Sequence, residues 1–281
     1  MTELLARLLP YRKLDDAEWV NSISREYDRA TPYPHVCIDD FFDVDVLERV
    51  SADFPNPSSL GVAFDNEREV KRASKGEREI PPFARAFIHS LNSAPFIRFV
   101  ESVTGMSGLV GDPHLVGGGF HALERGGKLS IHTDFNYHKE LCLDRRVNVL
   151  VYLNKPWPAE YGGYFEAWAQ KGTAAEKRYL PIFNRLIIFA TTDYTFHGNP
   201  DPVMCPPDQA RKSVAMYYYS NGRPQSEWRG VAQTTRFMNR PGESVASPEP
   251  LLQRTMLALP RPFREWLTQR LRRSRAPAKA S

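Results

Sequence analysis

The sequence predicts a mainly β protein with flanking helices, in which a jelly-roll core carries N-terminal helices packed on it. The first observation is a change of hydrophobic period after Leu109, where helical spacing gives way to a period of two and turn residues multiply. The second is a series of short β-rich runs without intervening helices, which favours an antiparallel sandwich or jelly roll. The third is a length of 281 residues with 42% hydrophobic residues, enough for a sizeable core.

The first thirty residues predict helix, because their leucines and aromatic residues recur at helical spacing. Two prolines then favour an extended run at Val36–Ile38. Residues 43–54 predict a short helix with Asp43 as its cap. Residues 82–105 predict two helical pieces divided at Pro95.

A charged segment interrupts this helical region. Residues 65–79 hold ten charges among fifteen residues, five acidic and five basic. We predict a mobile surface loop, either beside the substrate entrance or serving only as a solvated connector.

The second part of the chain predicts at least six strands, each a β-rich run bounded by Gly, Pro, Asn or Asp. They are LVGGGFHAL, KLSIHTDF, RVNVLVYLN, GGYFEAWA, RLIIFATT and RKSVAMYYYS. We therefore predict residues 1–105 as a helical and loop region packing on the core, 106–222 as the jelly-roll core, 223–260 as a C-terminal extension and 261–281 as a basic tail.

Composition excludes several classes of protein. The tail carries a net charge of about +6, so the remaining chain is near −2 and does not have the uniform basicity of a nucleic-acid-binding domain. The tail either contacts an acidic partner or is solvated and disordered. The sequence shows no secretory signal, no transmembrane run and no glycine pattern for nucleotides. Three isolated cysteines argue against a disulfide framework, which favours a reducing, cytoplasmic location; the oligomeric state stays open.

A histidine and an aspartate stand two residues apart in KLSIHTDF. Residues i and i+2 of a strand point to the same side, so His132 and Asp134 aim an imidazole and a carboxylate at one point. Two histidines and one carboxylate form the facial triad of non-haem iron(II) oxygenases. His197 is the candidate third ligand, because it closes a strong apolar strand that can fold back over the first pair. The short H-x-D pattern by itself is common by chance.

The last predicted strand offers a carboxylate receptor. Alternation places Arg211 and Ser213 on one face, where a planar guanidinium and a hydroxyl could bind a dicarboxylate. A buried arginine needs an anion to offset its desolvation. Lys212, on the other face, remains an alternative anchor.

These elements resemble the Fe(II)- and 2-oxoglutarate-dependent dioxygenases, in particular the prolyl 4-hydroxylase-like group. The matching motifs follow the family order: H-T-D at 132–134, VYLNKPW at 151–157, the Gly pair at 162–163, NRLIIF at 184–189, His197, and R-x-S at 211–213. The resemblance implies a double-stranded β-helix fold, iron(II) bound by His132, Asp134 and His197, and 2-oxoglutarate held by Arg211, with O2 as the other cosubstrate. His121 stands in the region where the family often has a tyrosine that contacts the cosubstrate.

Three further residues are weaker pocket candidates. Asn148 is a candidate cosubstrate contact, and Arg145 or Arg146 could contact an acidic substrate, although a structural or surface role fits all three equally well.

The predicted function is hydroxylation of an unactivated C–H bond, with release of succinate and CO2. Asp134 fills the position that family halogenases leave open for halide, which favours hydroxylation over chlorination. The substrate could be a peptide, an amino acid, a sugar or a natural product, because function depends on the pocket rather than on the fold. The alternatives are a catalytically silent jelly-roll binding module and a zinc hydrolase with the same ligands.

Overall fold

The structure, a computed structural model, describes residues 2–227 and 234–245. Its helices are α1 (Thr2–Ala6), α2 (Tyr11–Leu14), α3 (Ala17–Arg29), α4 (Val44–Ala52), α5 (Pro82–Leu91) and α6 (Ala94–Thr104). Its first seven strands are β1 (His35–Ile38), β2 (Val62–Asp65), β3 (Glu69–Ala73), β4 (Val110–Gly111), β5 (Gly119–Glu124), β6 (Lys128–Thr133) and β7 (Tyr137–His138). The others are β8 (Leu143–Tyr152), β9 (Phe165–Trp168), β10 (Lys177–Tyr179), β11 (Leu186–Ala190), β12 (Phe196–Asn199), β13 (Ala210–Ser220) and β14 (Arg236–Phe237).

The helical prediction for the N-terminal region is confirmed. Helix α3 begins at an Asp16 cap that accepts from the amide of Trp19, and α4 begins at Asp43, whose carboxylate accepts from two amides of the first turn. The predicted division near Pro95 is also confirmed, because α5 ends at Leu91 and Pro95 lies in the first turn of α6. Proline is tolerated there, since the first amides of a helix have no intrahelical acceptor.

Among the described residues, fourteen strands belong to one antiparallel sheet that folds into a jelly roll, as predicted. The strand order is β1-β11-β8-β13-β5-β3-β6-β12-β9-β10, with β2, β4, β7 and β14 as side branches. All six predicted strands are present. No helix in the described part of the chain is both long and apolar enough to cross a membrane.

The main core lies between the helices and the outer face of β8, β11 and β13. Alternation along β13 sends Val214, Met216 and Tyr218 to this core, together with the buried faces of α3 to α6. Tyr217 and Tyr219 belong to a separate inner cluster. The predicted division of this strand into two faces is therefore confirmed, and the inner face also carries Arg211 and Ser213, both buried.

The prediction of a mobile loop at 65–79 is wrong. This segment contains β3, which pairs with β2 and also with β5 and β6, so it is built into the sheet. A short 3-10 helix at Glu77–Glu79 follows. Mixed charges did not prevent strand formation, because four of the five side chains of β3 stay partly exposed although the strand lies between β5 and β6. The predicted tail at 261–281, and the part of the predicted C-terminal extension beyond residue 245, lie outside the described residues.

Candidate metal centre

Two neighbouring strands bring the candidate ligands together. His132 lies near the end of β6, and Asp134 follows directly after that strand. Strand β12 pairs with β6 so that His197 is the register partner of His132, and the two ring centroids are 4.5 Å apart. His197 was predicted at the end of the preceding apolar strand, but that strand ends at Ala190 and His197 lies in a short strand of its own.

Backbone contacts fix both imidazole rings in the form that binds a metal. The Nδ1 of His132 lies 2.9 Å from the carbonyl of Ser130, and the Nδ1 of His197 lies 3.1 Å from the carbonyl of Thr195. A ring nitrogen next to a carbonyl must carry the proton, so Nε2 of each ring is left with a free lone pair. This outer contact is the usual way in which a protein orients a metal-binding histidine.

Both Nε2 atoms face the carboxylate. Nε2 of His132 lies 3.5 Å from Oδ1 of Asp134, and Nε2 of His197 lies 3.3 Å from Oδ2. One ligand atom from each of the three residues lies within 4.8 Å of the others. A donor set of two imidazoles and one carboxylate at this spacing suits non-haem iron(II). The residues therefore fit the metal that the sequence predicted.

The local charges keep the ligands in their binding forms. Burial alone would raise the pKa of Asp134, but the adjacent guanidinium of Arg145 holds it well below its usual value. Burial and the adjacent His197 lower the pKa of His132. An ionised carboxylate and a neutral imidazole are the states that coordinate a metal ion.

The Arg211 guanidinium is held on the inner face of β13. Its Nε donates to the carbonyl of Gly163 at 2.7 Å, and its Nη2 donates to the hydroxyl of Tyr152 at 3.1 Å. The residue is only 5% exposed, and no carboxylate among the described residues lies within 4.0 Å of the guanidinium. Ser213 is buried on the same face, whereas Lys212 points to the opposite face, 5.1 Å from the Phe54 ring. This geometry favours Arg211 over Lys212 as the anchor.

The weaker candidates occupy different places. His121 is the register partner of Ser213 and lines a cavity of about 420 Å³ between the β2–β3 hairpin and residues 114–117. Its Nε2 lies 2.9 Å from the Gly117 carbonyl, and burial lowers its pKa to about 3, so the ring is neutral. Asn148 does not face open space but donates to Asp134 at 2.6 Å.

The two adjacent arginines point to opposite sides of β8. Arg145 lies beside Asp134, with Nη2 3.1 Å from Oδ2. Arg146 pairs with Glu227 and with the hydroxyl of Ser220 on the outer side of the sheet. A surface role is excluded for both, since both are buried.

The other histidines lie away from the three candidate ligands. His35 contacts the Tyr33 carbonyl and the Tyr179 hydroxyl, and His89 pairs with Glu77 at the surface. His138 is buried 3.7 Å from Asp112.

Sequence reasoning missed one contact at the centre. Strand β14 pairs with β6 so that Phe237 is the register partner of His132, and the two rings are 5.7 Å apart. No pattern in residues 234–245 marks this pairing in advance.

Comparisons with known proteins agree with the geometry. Residues 118–219 match the family model of the 2OG-Fe(II) oxygenase superfamily, so the resemblance and the cofactors predicted from the sequence are confirmed at the level of the family. No curated protein matches the chain.

Solved structures are similar to this chain at low sequence identity, and the two with TM-scores of 0.50 or above share its fold. A Pseudomonas putida prolyl-4-hydroxylase is 15% identical with a TM-score of 0.51, covering 72% of this chain and 99% of that one. A prolyl 4-hydroxylase of Phytophthora capsici is 14% identical with a TM-score of 0.50, covering 79% and 68%. A Trichoplax adhaerens prolyl hydroxylase, in complex with a peptide of the hypoxia inducible factor oxygen degradation domain, is 17% identical with a TM-score of 0.49, covering 75% and 93%.

Proposed function

We propose that this chain is an Fe(II)- and 2-oxoglutarate-dependent oxygenase that hydroxylates an unactivated C–H bond of its substrate. The observation that carries the proposal is the group of His132, Asp134 and His197, in which both imidazole Nε2 atoms face one carboxylate. In such a centre iron(II) supplies oxygen activation, and 2-oxoglutarate supplies two electrons as it is converted to succinate and CO2.

The protein side chains have separate tasks in this proposal. His132, Asp134 and His197 hold the metal through one face and leave the other positions to the cosubstrates. Arg211 binds the distal carboxylate of 2-oxoglutarate, for which it is suited because it is buried and has no carboxylate of the described residues within 4.0 Å. Tyr152 and the Gly163 carbonyl fix the guanidinium, so the dicarboxylate is oriented as it binds. Ser213 and His121 stay candidate contacts for the cosubstrate. Asn148, the third candidate, already donates to Asp134, and Arg145 and Arg146 pair with Asp134 and Glu227 rather than with an acidic substrate.

The substrate class is left open by these features. The prolyl hydroxylases reported above show the same fold, and a common fold does not fix the substrate. A peptide, a free amino acid, a sugar and a natural product all stay candidates for the hydroxylated group.

The direct test is anaerobic binding of iron(II) followed by 2-oxoglutarate. We expect a visible charge-transfer band when both are present, and oxygen-dependent succinate formation after air is admitted. His132→Ala should abolish both signals, because it removes a ligand. His89→Ala is the control, since this histidine lies at the surface beside Glu77.

The rival functions give different results in the same test. A binding module without turnover would form no succinate, and a zinc hydrolase would show no charge-transfer band with iron(II) and 2-oxoglutarate. Succinate formation at the wild-type rate in His132→Ala would contradict the assignment of the ligands.

A further inference from the structure

The cavity of about 420 Å³ beside the β2–β3 hairpin is built on one face of three neighbouring strands, β2, β3 and β5. Register partners lie side by side, and alternate residues of a strand point the same way, so these strands contribute their side chains to one wall. The wall consists of Val62, Phe64, Lys71, Ala73 and His121. Residues 74–76 and 114–117 complete the lining. The volume is typical of sites that bind small molecules.

The charged side chains that line this cavity are lysines, set among apolar ones. The ammonium of Lys71 lies 4.7 Å from the ring centroid of Phe64 and pairs with Glu69 at 3.1 Å. A lysine has three N–H donors, so this pair leaves donors for a second acceptor. Lys75 is exposed at the edge of the cavity. Among the described residues that form the lining, none is Asp or Glu.

The His121 ring at the inner end of the cavity is neutral. Its Nε2 donates to the carbonyl of Gly117 at 2.9 Å. Burial lowers the pKa of His121 to about 3, and the charges of Lys71, Arg211 and Arg145 act in the same direction. Several cations therefore surround this end of the cavity, and their combined field favours an anion there.

The lining of the cavity also contacts the metal centre. The carbonyl of Gly117 accepts from the hydroxyl of Tyr217 at 2.7 Å. A Cβ on Gly117 would lie 3.5 Å from the ring of Phe135 and 3.6 Å from that of Tyr217. Phe135 directly follows the candidate ligand Asp134 in the chain. A molecule in the cavity would therefore lie close to the metal.

We propose that this cavity is the substrate site and that it selects an anion, a small molecule whose carboxylate or phosphate group lies beside Lys71 and Lys75. The inference rests on the proposed function of the metal centre and names the class of substrate for it. The apolar wall holds the body of the molecule, and the two ammonium groups bind its acid group. The open candidates are thereby narrowed to those that carry such a group.

The test uses two probes with the same apolar body, phenylphosphate and phenylacetate, and 2-phenylethanol as the neutral probe of similar size. Ligand-observed NMR titration of the Zn(II)-loaded protein gives the Kd of each probe. We expect both acids to bind at least about tenfold more tightly than 2-phenylethanol, because each accepts hydrogen bonds from a charged donor. The more tightly bound acid identifies phosphate or carboxylate as the preferred group.

Two further measurements place the bound probe. With Mn(II) instead of Zn(II), the relaxation of the phenyl protons should increase strongly, because this effect falls steeply with distance from the metal. Saturating 2-oxoglutarate should not weaken the binding of either acid. Displacement by 2-oxoglutarate would show that the cavity belongs to the cosubstrate, and it would overturn the inference.

Variants at the ion pair change the affinity in opposite directions. Lys71→Met should raise the Kd of both acids about tenfold and leave that of 2-phenylethanol unchanged, because it removes a charged donor. Glu69→Gln should lower the Kd of both acids about threefold, because it removes the carboxylate that competes for Lys71. If Lys71→Met does not fold, Glu69→Gln decides the matter.

The matched control is Lys128→Met on the neighbouring strand β6. Lys128 is the register partner of Val70, so it points to the face opposite Lys71 and lies outside the lining of the cavity. The Kd of both acids should stay unchanged in this variant. Equal losses in Lys128→Met and Lys71→Met would overturn the inference, and so would wild-type protein that binds 2-phenylethanol as tightly as the acids.

The outcome also separates the two proposals. Wild-type protein that binds Zn(II) and Mn(II) but does not prefer the acids refutes only the assignment of the cavity. Wild-type protein that binds neither metal refutes the proposed function, and this inference with it.

Discussion

Arg211 is a buried cation whose nearest partners are a carbonyl and a phenol rather than an acid. Two neutral hydrogen-bond acceptors offset only part of the free energy that desolvation of a guanidinium costs. An anionic group would offset the remainder, and a planar guanidinium suits a carboxylate. This is the physical reason to place the distal end of a dicarboxylate here.

We predict that Arg211→Met raises the Kd for 2-oxoglutarate roughly 10- to 100-fold, the equivalent of about 1.5–3 kcal/mol for hydrogen bonds to a charged group. Anaerobic titration of the charge-transfer band measures it. Lys212→Met is the control, because it removes a cation from the same strand on the opposite face, beside Phe54. Equal losses in the two variants would show that general charge, rather than a specific contact, attracts the cosubstrate.

The sequence located individual residues well where one periodicity was sufficient. The H-x-D spacing placed His132 and Asp134 on one side, and alternation separated Arg211 from Lys212. Arg145 was different, because a bulge in β8 breaks the period of two and no local signal in RRVNVLVY announces it. Which of the two arginines faces inward depends on pairing with β13, a contact between distant parts of the chain.

At the scale of elements, the turn before β9 positions the side chain of Arg211. Gly162 and Gly163 have φ values of +66° and +68°, a conformation that favours glycine. A Cβ on Gly163 would lie 2.8 Å from Cδ of Arg211 and 3.1 Å from Cγ2 of Val203. A Cβ on Gly162 would meet nothing closer than 3.9 Å. Both glycines therefore have a positive φ that favours glycine, but only Gly163 is close to the side chain of Arg211, the proposed cosubstrate contact.

We predict that Gly163→Ala and Gly162→Ala each lower the free energy of unfolding by about 1–2 kcal/mol, the cost of a left-handed residue with a side chain. Gly163→Ala alone should also weaken 2-oxoglutarate binding, by about tenfold, because it displaces Arg211 from the Gly163 carbonyl. Denaturant unfolding gives the first quantity and the anaerobic titration gives the second. A loss of cosubstrate affinity in Gly162→Ala as large as in Gly163→Ala would contradict this explanation.

Strand β3 shows where sequence reasoning about elements failed. Its composition is that of a solvated loop. It forms a strand because its backbone pairs with β5 and with β6. Such a preference is set by tertiary pairing rather than by the residues themselves. The six strands of the core were predictable because each carries a strong apolar run between turn residues.

At the scale of the molecule, the N-terminal region and the jelly roll share one core. Strand β1 extends the sheet beside β11, β3 lies between β5 and β6, and the buried faces of α3 to α6 pack against β8 and β13. The division into an N-terminal region at 1–105 and a jelly-roll core at 106–222 stays a proposal.

We predict that residues 106–222 produced alone do not fold, because removal of the first 105 residues exposes the apolar outer face of β8, β11 and β13. The measurement is thermal unfolding followed by circular dichroism, in which we expect no cooperative transition. A chain ending at residue 245 keeps all the described elements and should unfold cooperatively. A sharp transition in the 106–222 fragment would show that the jelly roll is an independent folding unit.

The pairing of His132 with His197 has a consequence for the stability of the folded protein. The two side chains come from strands far apart in sequence, so a metal ion bound by both would link two distant segments of the chain. Such an ion would raise the free energy of unfolding by an amount that grows with the logarithm of the free metal concentration. A low concentration of iron would then lower the stability of the folded protein as well as its activity. The amount of folded protein would therefore depend on the concentration of available iron.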